Sequence, residues 1–334
     1  MMKTDTLEES VRELIGSLGK LKKEIGKVIV GQDEIIDQLL ITFLAGGHAL
    51  LEGVPGLAKT LMIRTLSEAI DLKFRRIQFT PDLMPSDIIG TEILEEDHTT
   101  GKRIFKFNRG PIFANIILAD EINRTSPKTQ SALLEAMQEF EVTYAGVSYK
   151  LEKPFFILAT QNPIEQSGTF PLPEAQLDRF LLYIKVSYPT AAEEVSILES
   201  TTGRKKSEIN KVIEGAQIIE AQNLVREVHI NSDILEWVSR IVRATRAGQS
   251  ESNFVNEWVR WGAGPRAGQA MILTAKARAL LRGNFAVTEE DIEHVAHPVL
   301  RHRILMNFKA EAEGITSTEV TKHLLQTIRI KKSI

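Results

Sequence analysis

The chain has 334 residues, room for about two domains at roughly 150 residues each. Its 41 Lys and Arg nearly balance 44 Asp and Glu, leaving −3, and 43% of residues are hydrophobic against 25% charged. These proportions support a core of ordinary size and exclude a disordered chain or one that coats nucleic acid by bulk charge. The lack of cysteine excludes disulfides, thiolate catalysis and Cys-ligated zinc.

The N-terminal stretch is charged throughout, unlike a secretory leader. Apolar runs such as Ile116 to Ala119 fall far short of the ~20 residues a membrane span needs. The expectation is a cytoplasmic globular protein. Residues 6–27 place Leu7, Val11, Leu14, Ile15, Leu18, Leu21 and Ile25 at helical spacing, and a second helical stretch runs from Gln32 to Ala45. Short apolar runs bounded by turn residues then appear at His48–Leu51, Phe74–Phe79, Ile116–Ala119, Phe155–Thr160 and Leu181–Val186. Three of the gaps hold helix-length segments, at Thr60–Ile70, Lys128–Glu139 and Pro173–Leu177. Buried strands alternating with helices predict an α/β fold with a parallel sheet covered on both faces.

Two segments break the alternation. Thr91–Leu94 and Ile104–Phe107 flank a polar turn, and Glu141–Tyr144 and Val147–Leu151 flank Ala145-Gly146. Both read as β-hairpins inserted between core strands, near 91–107 and 141–151. From Pro189 onward the strands stop. Thr190–Ser200, Ala216–Val228, Ser232–Ala247, Pro265–Leu281 and Glu289–Val295 have helical spacing, and Thr288 with Asp291 forms a variant capping box. The predicted organisation is an α/β domain over 1–188 and a smaller all-helical domain over 189–334.

Chemistry concentrates in five places. Gly53-Val54-Pro55-Gly56-Leu57-Ala58-Lys59-Thr60 follows a predicted strand and opens a predicted helix that continues with Leu61. A phosphate-binding loop needs that context. Backbone N–H groups cradle phosphates at a helix N-terminus, Lys59 reaches their oxygens, and Thr60 ligates magnesium. Ala58 stands where the general pattern has Gly, a tolerable change because Ala adopts helical angles there. Further on, the apolar run Ile116 to Ala119 ends in Asp120 and Glu121. Asp120 would hold magnesium through water, and Glu121 would orient or deprotonate an attacking water.

The fourth apolar run, Phe156 to Ala159, exits into Thr160-Gln161-Asn162-Pro163, where Asn162 is placed to sense the γ-phosphate or the water. Arg179 precedes the last core strand and fits an arginine finger, a group worth about 10³–10⁵ in rate. Arg266, in Gly264-Pro265-Arg266, opens a helix of the second domain and would aim a cation back at the nucleotide. A surface ion pair and an ordinary exposed Arg are the plainer readings of these two.

The order of these motifs resembles AAA+ ATPases. Asp120-Glu121-Ile122-Asn123-Arg124, the run from Pro127 to Glu139, Thr160 to Pro163, and Phe170 to Phe180 are similar to the MoxR family, as is Ala58 within its loop. The similarity spans about Val30 to Arg303. It implies an AAA+ P-loop core with inserted hairpins and a helical lid, using ATP and Mg²⁺ for hydrolysis. It further implies a homo-oligomeric ring, usually a hexamer, with ATP between subunits. By that resemblance Lys59, Thr60, Asp120, Glu121, Asn162 and Arg266 act within one subunit and Arg179 reaches the neighbour's nucleotide. Val30, Gly31 and Gln32 would lie against the adenine. The resemblance also implies a chaperone-like role in maturing other protein complexes, often beside a partner with a von Willebrand factor A domain.

Several alternatives share parts of this pattern. A nucleic-acid motor would present cations at its hairpin tips, whereas Tyr144-Ala145-Gly146 is neutral and Glu95-Glu96-Asp97 acidic, although Lys102 and Arg103 follow the latter. A threading unfoldase would use an aromatic grip, for which Tyr144 is slender support. A small-molecule kinase does not call for the finger, the sensor and the lid together. A nucleotide-switch ring scaffold would hydrolyse little, and Glu121 argues for hydrolysis. His294, His297 and His302 lack metal-ligand spacing and read as packing or surface residues. Trp258 and Trp261 read as core anchors, and the basic stretch Arg329, Lys331, Lys332 reads as a solvated end, with docking of a partner as the alternative.

Overall fold

The computed structural model describes residues 2–54, 59–96, 103–163, 168–202 and 208–330. Helix α1 (Met2–Gly26) lays the Leu14, Leu18, Leu21 and Ile25 stripe against the core, as the spacing predicts. Then follow α2 (Asp33–Leu44), β1 (Ala49–Glu52), α3 (Lys59–Ile70), β2 (Phe74–Gln78) and the short α4 (Pro85–Ile89). The first insert is the hairpin of β3 (Gly90–Glu96) and β4 (Arg103–Arg109). The chain returns to the sheet with β5 (Ile116–Asp120), passes a 3-10 turn (Ile122–Arg124), and forms α5 (Pro127–Glu139). The second insert pairs β6 (Glu141–Tyr144) with β7 (Val147–Lys150), before β8 (Phe156–Gln161), α6 (Glu174–Leu177) and β9 (Leu182–Lys185).

The five core strands are all parallel, in the order β2-β5-β8-β1-β9. Side-chain alternation divides them between two cores. Leu51, Ile116, Leu118, Phe156, Leu158, Leu182 and Ile184 face α1, α2 and α3. Leu50, Ile117, Ala119, Ile157, Ala159 and Tyr183 face α5 and the loops beside it. The interior strands are apolar on both faces because both are covered, which is why they read as continuous runs. Among these five strands the exposed side chains lie on the two edges, at Arg75 and Arg76 of β2 and Lys185 of β9.

The hairpins stack on each other. The Phe107 ring lies 4.9 Å from Tyr144 and 4.6 Å from Tyr149, both in stacked geometry. Ala145 and Gly146 both take positive φ, 49° and 81°, the backbone that a two-residue hairpin turn requires. At the other insert Leu94 and Phe105 are exposed.

After β9 come α7 (Ala191–Thr202), α8 (Gly215–Glu227), α9 (Ser232–Ala244), α10 (Asn253–Trp258), β10 (Val259–Trp261) and α11 (Pro265–Leu281). The chain ends with α12 (Glu289–Leu300), β11 (Leu305–Met306), α13 (Phe308–Glu313) and α14 (Ser317–Thr327). Thr288 and Asp291 do form a reciprocal capping box at the start of α12. One departure from expectation is that strands do not stop at Pro189: β10 and β11 form a small antiparallel pair. Runs of two or three residues carry no alternation to read. Helices α10, α13 and α14 also lie outside the predicted set. No helix among the described residues is long and apolar enough to cross a membrane.

Candidate functional site

The carboxyl ends of the parallel strands meet at one edge of the sheet, where this class of fold places its ligands. Strand β1 delivers Gly53 and Val54 there, and Lys59 and Thr60 open α3 beside them. Pro55, Gly56, Leu57 and Ala58 lie outside the described residues, so the loop is seen through its two flanks. A Cβ at Gly53 would press on Val186, so the chain leaves β1 without room for a side chain. The Lys59 ammonium donates to the Gly53 carbonyl. Burial lowers its pKa, and Asp120, Glu121 and Glu52 oppose that shift. The loop is thus flanked by a cation that three carboxylates keep charged. Leu61, the next residue of α3, is partly exposed.

Asp120 and Glu121 end β5 on the same edge. Glu121 takes left-handed backbone angles, φ 58° and ψ 49°, which a non-glycine residue adopts at a cost of about 1–3 kcal/mol. Thr160, at the end of the neighbouring β8, secures the bend. Its hydroxyl donates to Asp120 Oδ1 at 2.6 Å and accepts the Glu121 N–H at 2.9 Å. Each carboxylate also has a cation. Arg76 of β2 donates to Asp120 Oδ2 from Nη2 at 2.6 Å and from Nε at 3.0 Å. Gln78 and Arg124 donate to Glu121 Oε2, at 2.8 and 2.9 Å. Gln130 of α5 fastens the loop beyond by donating to the carbonyls of Ile122, Thr125 and Phe170.

Asn162 follows β8 and is buried beside this edge. Its predecessor Gln161 donates to the Tyr183 hydroxyl at 2.8 Å, and Tyr183 is hydrogen-bonded to Glu52, the residue before the loop. Val30, Gly31 and Gln32 precede α2. Gly31 has φ +73°, and a Cβ there would collide with Glu193. Gln32 is buried with its Oε1 unpartnered, a polar atom that a heterocyclic amine would satisfy. The helix N-terminus, the Lys59 cation, the hard oxygens of Thr60 and Asp120, and this orphaned amide match a nucleotide with a divalent cation.

Arg179 and Arg266 are elsewhere. Arg179 precedes β9, and Leu181 donates to the carbonyl of His48 just ahead of β1, so Arg179 lies at the amino ends of the strands. It donates to the Leu134 carbonyl of α5 at 2.8 Å. Arg266 opens α11 and lies 3.5 Å from Asp178. Both line one cavity of about 280 Å³ with Asp178 and Arg303. The whole length of β1, roughly 13 Å at 3.3 Å per residue, separates this edge from Lys59. The expectation that Arg266 serves the nucleotide of its own subunit therefore does not match its position. The helical domain places it beside Arg179 and Asp178, not beside Lys59.

Arg303, which motif reading did not single out, holds this second edge together. It is buried and donates to Asp178 at 2.8 Å and to the carbonyls of Val299 and Phe180. His302 is buried against the Phe180 carbonyl, the packing role expected of it. No cluster of three metal-ligating side chains of the His, Cys, Asp and Glu type occurs among the described residues.

Residues 48–182 match the family described as "ATPase family associated with various cellular activities (AAA)", and 252–324 match an AAA lid domain. Chaperone MoxR1 of Mycobacterium tuberculosis is 42% identical over 92% of this chain and 80% of its own length. The chain belongs to the MoxR family of AAA+ ATPases. Protein MoxR of Paracoccus denitrificans is 30% identical over 84% of this chain and 86% of that one. A crystal structure of a Cytophaga hutchinsonii protein superposes with a TM-score of 0.91 at 41% identity, covering 99% of this chain and all of that one. As a member of the MoxR family of ATPases, the chain is a nucleotide-binding protein.

Proposed function

We propose that this chain hydrolyses ATP with Mg²⁺ in a ring of its own copies, and that the cycle remodels or activates other protein complexes. The observation that carries this reading is the division of the site between opposite edges of one sheet. Lys59, Asp120 and Glu121 occupy one edge, and Arg179 with Arg266 the other. Within a subunit they cannot share a phosphate; between subunits packed edge to edge they can. Such a head-to-tail contact closes into a ring when its rotation allows.

In this reading Val30, Gly31 and Gln32 bind adenine, and the loop from Gly53 to Thr60 binds the phosphates, with Leu61 just behind it. Thr60 and Asp120 would hold Mg²⁺, which would supply positive charge against the phosphates as negative charge develops. Arg76 donates to Asp120 Oδ2 and would share that carboxylate with the metal. Glu121 Oε2 is engaged by Gln78 and Arg124, leaving Oε1 to take the proton of the attacking water. Asn162 orients that water or the γ-phosphate. Arg179 and Arg266 enter from the neighbour and stabilise the transition-state charge.

The chaperone-like role rests on the name of the Mycobacterium relative and the family resemblance. A partner with a von Willebrand factor A domain rests on that resemblance alone. The test is light-scattering mass and phosphate release. Glu121→Gln should bind ATP without turnover and shift with ATP–Mg²⁺ to about six subunits, whereas Lys59→Ala should do neither. A Glu121→Gln variant that stays monomeric with ATP bound would overturn the ring.

A further inference from the structure

The described part of the C-terminal segment is held on the helical domain by its backbone. Residues 328–330 fold back across α9: Trp237 Nε1 donates to the Ile328 carbonyl at 2.7 Å, and Arg240 Nη2 donates to the Arg329 carbonyl at 2.8 Å. Together α9, the turn before α10, α14 and this terminal segment enclose a groove of about 940 Å³. None of its lining residues belongs to the nucleotide edge or to the cavity of Arg179 and Arg266.

Two properties define the groove. Its floor is apolar, with Phe254, Leu324, Ile328 and Ile330. Its charged lining is three arginines, Arg240, Arg243 and Arg329, against the single carboxylate of Glu251. That local excess of +2 sits in a chain whose net charge is −3. Arg240 also keeps a buried Nε without a partner, a donor that an incoming acceptor would satisfy.

We infer that the groove is a docking site for an extended acidic peptide segment of a partner protein, with an apolar residue among its carboxylates. Guanidinium forks grip carboxylates through paired, charge-assisted hydrogen bonds, and the floor takes the apolar side chain. Free phosphate would leave the floor unused. Single-stranded nucleic acid needs exposed rings to stack bases, but Phe254 is already packed at 4.9 Å against His323 and at 6.3 Å against Trp258.

The probe is a fluorescein-labelled, amidated peptide of alternating aspartate and phenylalanine, titrated with the full chain and read by anisotropy. A peptide with lysine in place of aspartate and a single-stranded oligonucleotide serve as comparisons. The acidic peptide should bind saturably and weaken with added salt. Arg243→Glu and Arg329→Glu, both at exposed positions, should each weaken it by about tenfold while ATP turnover stays unchanged. Absent binding, equal binding of either comparison probe, or indifference to both charge reversals would overturn the proposal. So would loss of light-scattering mass in Arg243→Glu without peptide binding, which would assign the groove to a second copy of this chain.

Discussion

Thr160 donates its hydroxyl hydrogen to Asp120 at 2.6 Å while accepting the backbone N–H of Glu121 at 2.9 Å. One side chain on β8 thereby sets both carboxylates on β5. Thr160→Val keeps the shape and removes both bonds. The left-handed turn at Glu121 then has a part-buried N–H without its acceptor, which costs about 1–3 kcal/mol. Urea denaturation should show that loss. ATP turnover should fall at least tenfold, with nucleotide affinity nearly unchanged because Lys59 and the loop are untouched.

The placement of Arg179 and Arg266 predicts complementation between inactive variants. Arg179→Ala and Glu121→Gln should each bind ATP and hydrolyse almost none alone. Mixed in equal amounts and allowed to exchange, about a quarter of the interfaces would join an intact Glu121 to a neighbour's intact Arg179, as expected for random head-to-tail assembly. Phosphate release should recover to that fraction. Arg266→Ala should behave in the same way. If mixing restores nothing, the arginines serve their own subunit.

Arg303 is the buried cation on which the finger's support rests. Arg303→Met leaves Asp178 and several carbonyls without their donor, and should cost about 3 kcal/mol of stability on unfolding. Arg303→Lys keeps the charge without the planar fork, and should fall between the two. Both should lose turnover while binding nucleotide normally, since the loop lies across the sheet.

His48 predicts acid sensitivity. Its Nδ1 accepts from Ile157 N–H at 3.0 Å, so Nε2 carries the hydrogen donated to the Met137 carbonyl at 3.1 Å. Burial pushes the ring down to about 4 from an ordinary value near 6.5. Between those limits the unfolded chain binds a proton that the folded chain refuses. This contribution to stability is therefore full above about pH 6.5 and lost as pH falls toward 4, amounting to about 3 kcal/mol. Burial lowers His302 with the same sign. Denaturant midpoints across that range should fall in the wild type and fall less steeply in His48→Asn.

The contiguous parts of this site were legible before the structure. The strand–loop–helix around Lys59 and the strand ending in Asp120-Glu121 announce themselves because their chemistry is held by neighbours in sequence. Gln78, Arg76 and Arg303 did not, since each acts on a residue more than forty positions away through packing of the sheet or lid. Arg266 was identified by type but not by place. Its Gly-Pro-Arg string reveals a helix start and a cation, while the edge that receives it is set by how α11 packs on α2, α8 and α9. The terminal segment was legible only in part: Arg329 is exposed, as its charge suggests, while the Ile328 and Arg329 carbonyls accept from Trp237 and Arg240, contacts that no charge pattern announces.

Helix α5 begins just past the turn that carries Glu121 and ends one residue before β6. It is a rod of about 20 Å, at 1.5 Å per residue, with the carboxylates at one end and a hairpin at the other. That hairpin is clasped to its companion through Phe107, Tyr144 and Tyr149, contacts worth about 0.5–1.5 kcal/mol each beyond their buried area. The two inserts thus travel as one body. Any tilt of the rod is magnified at Leu94 and Phe105, which lie on the far hairpin, so angstrom-scale adjustments at the carboxylates become larger strokes of an apolar surface.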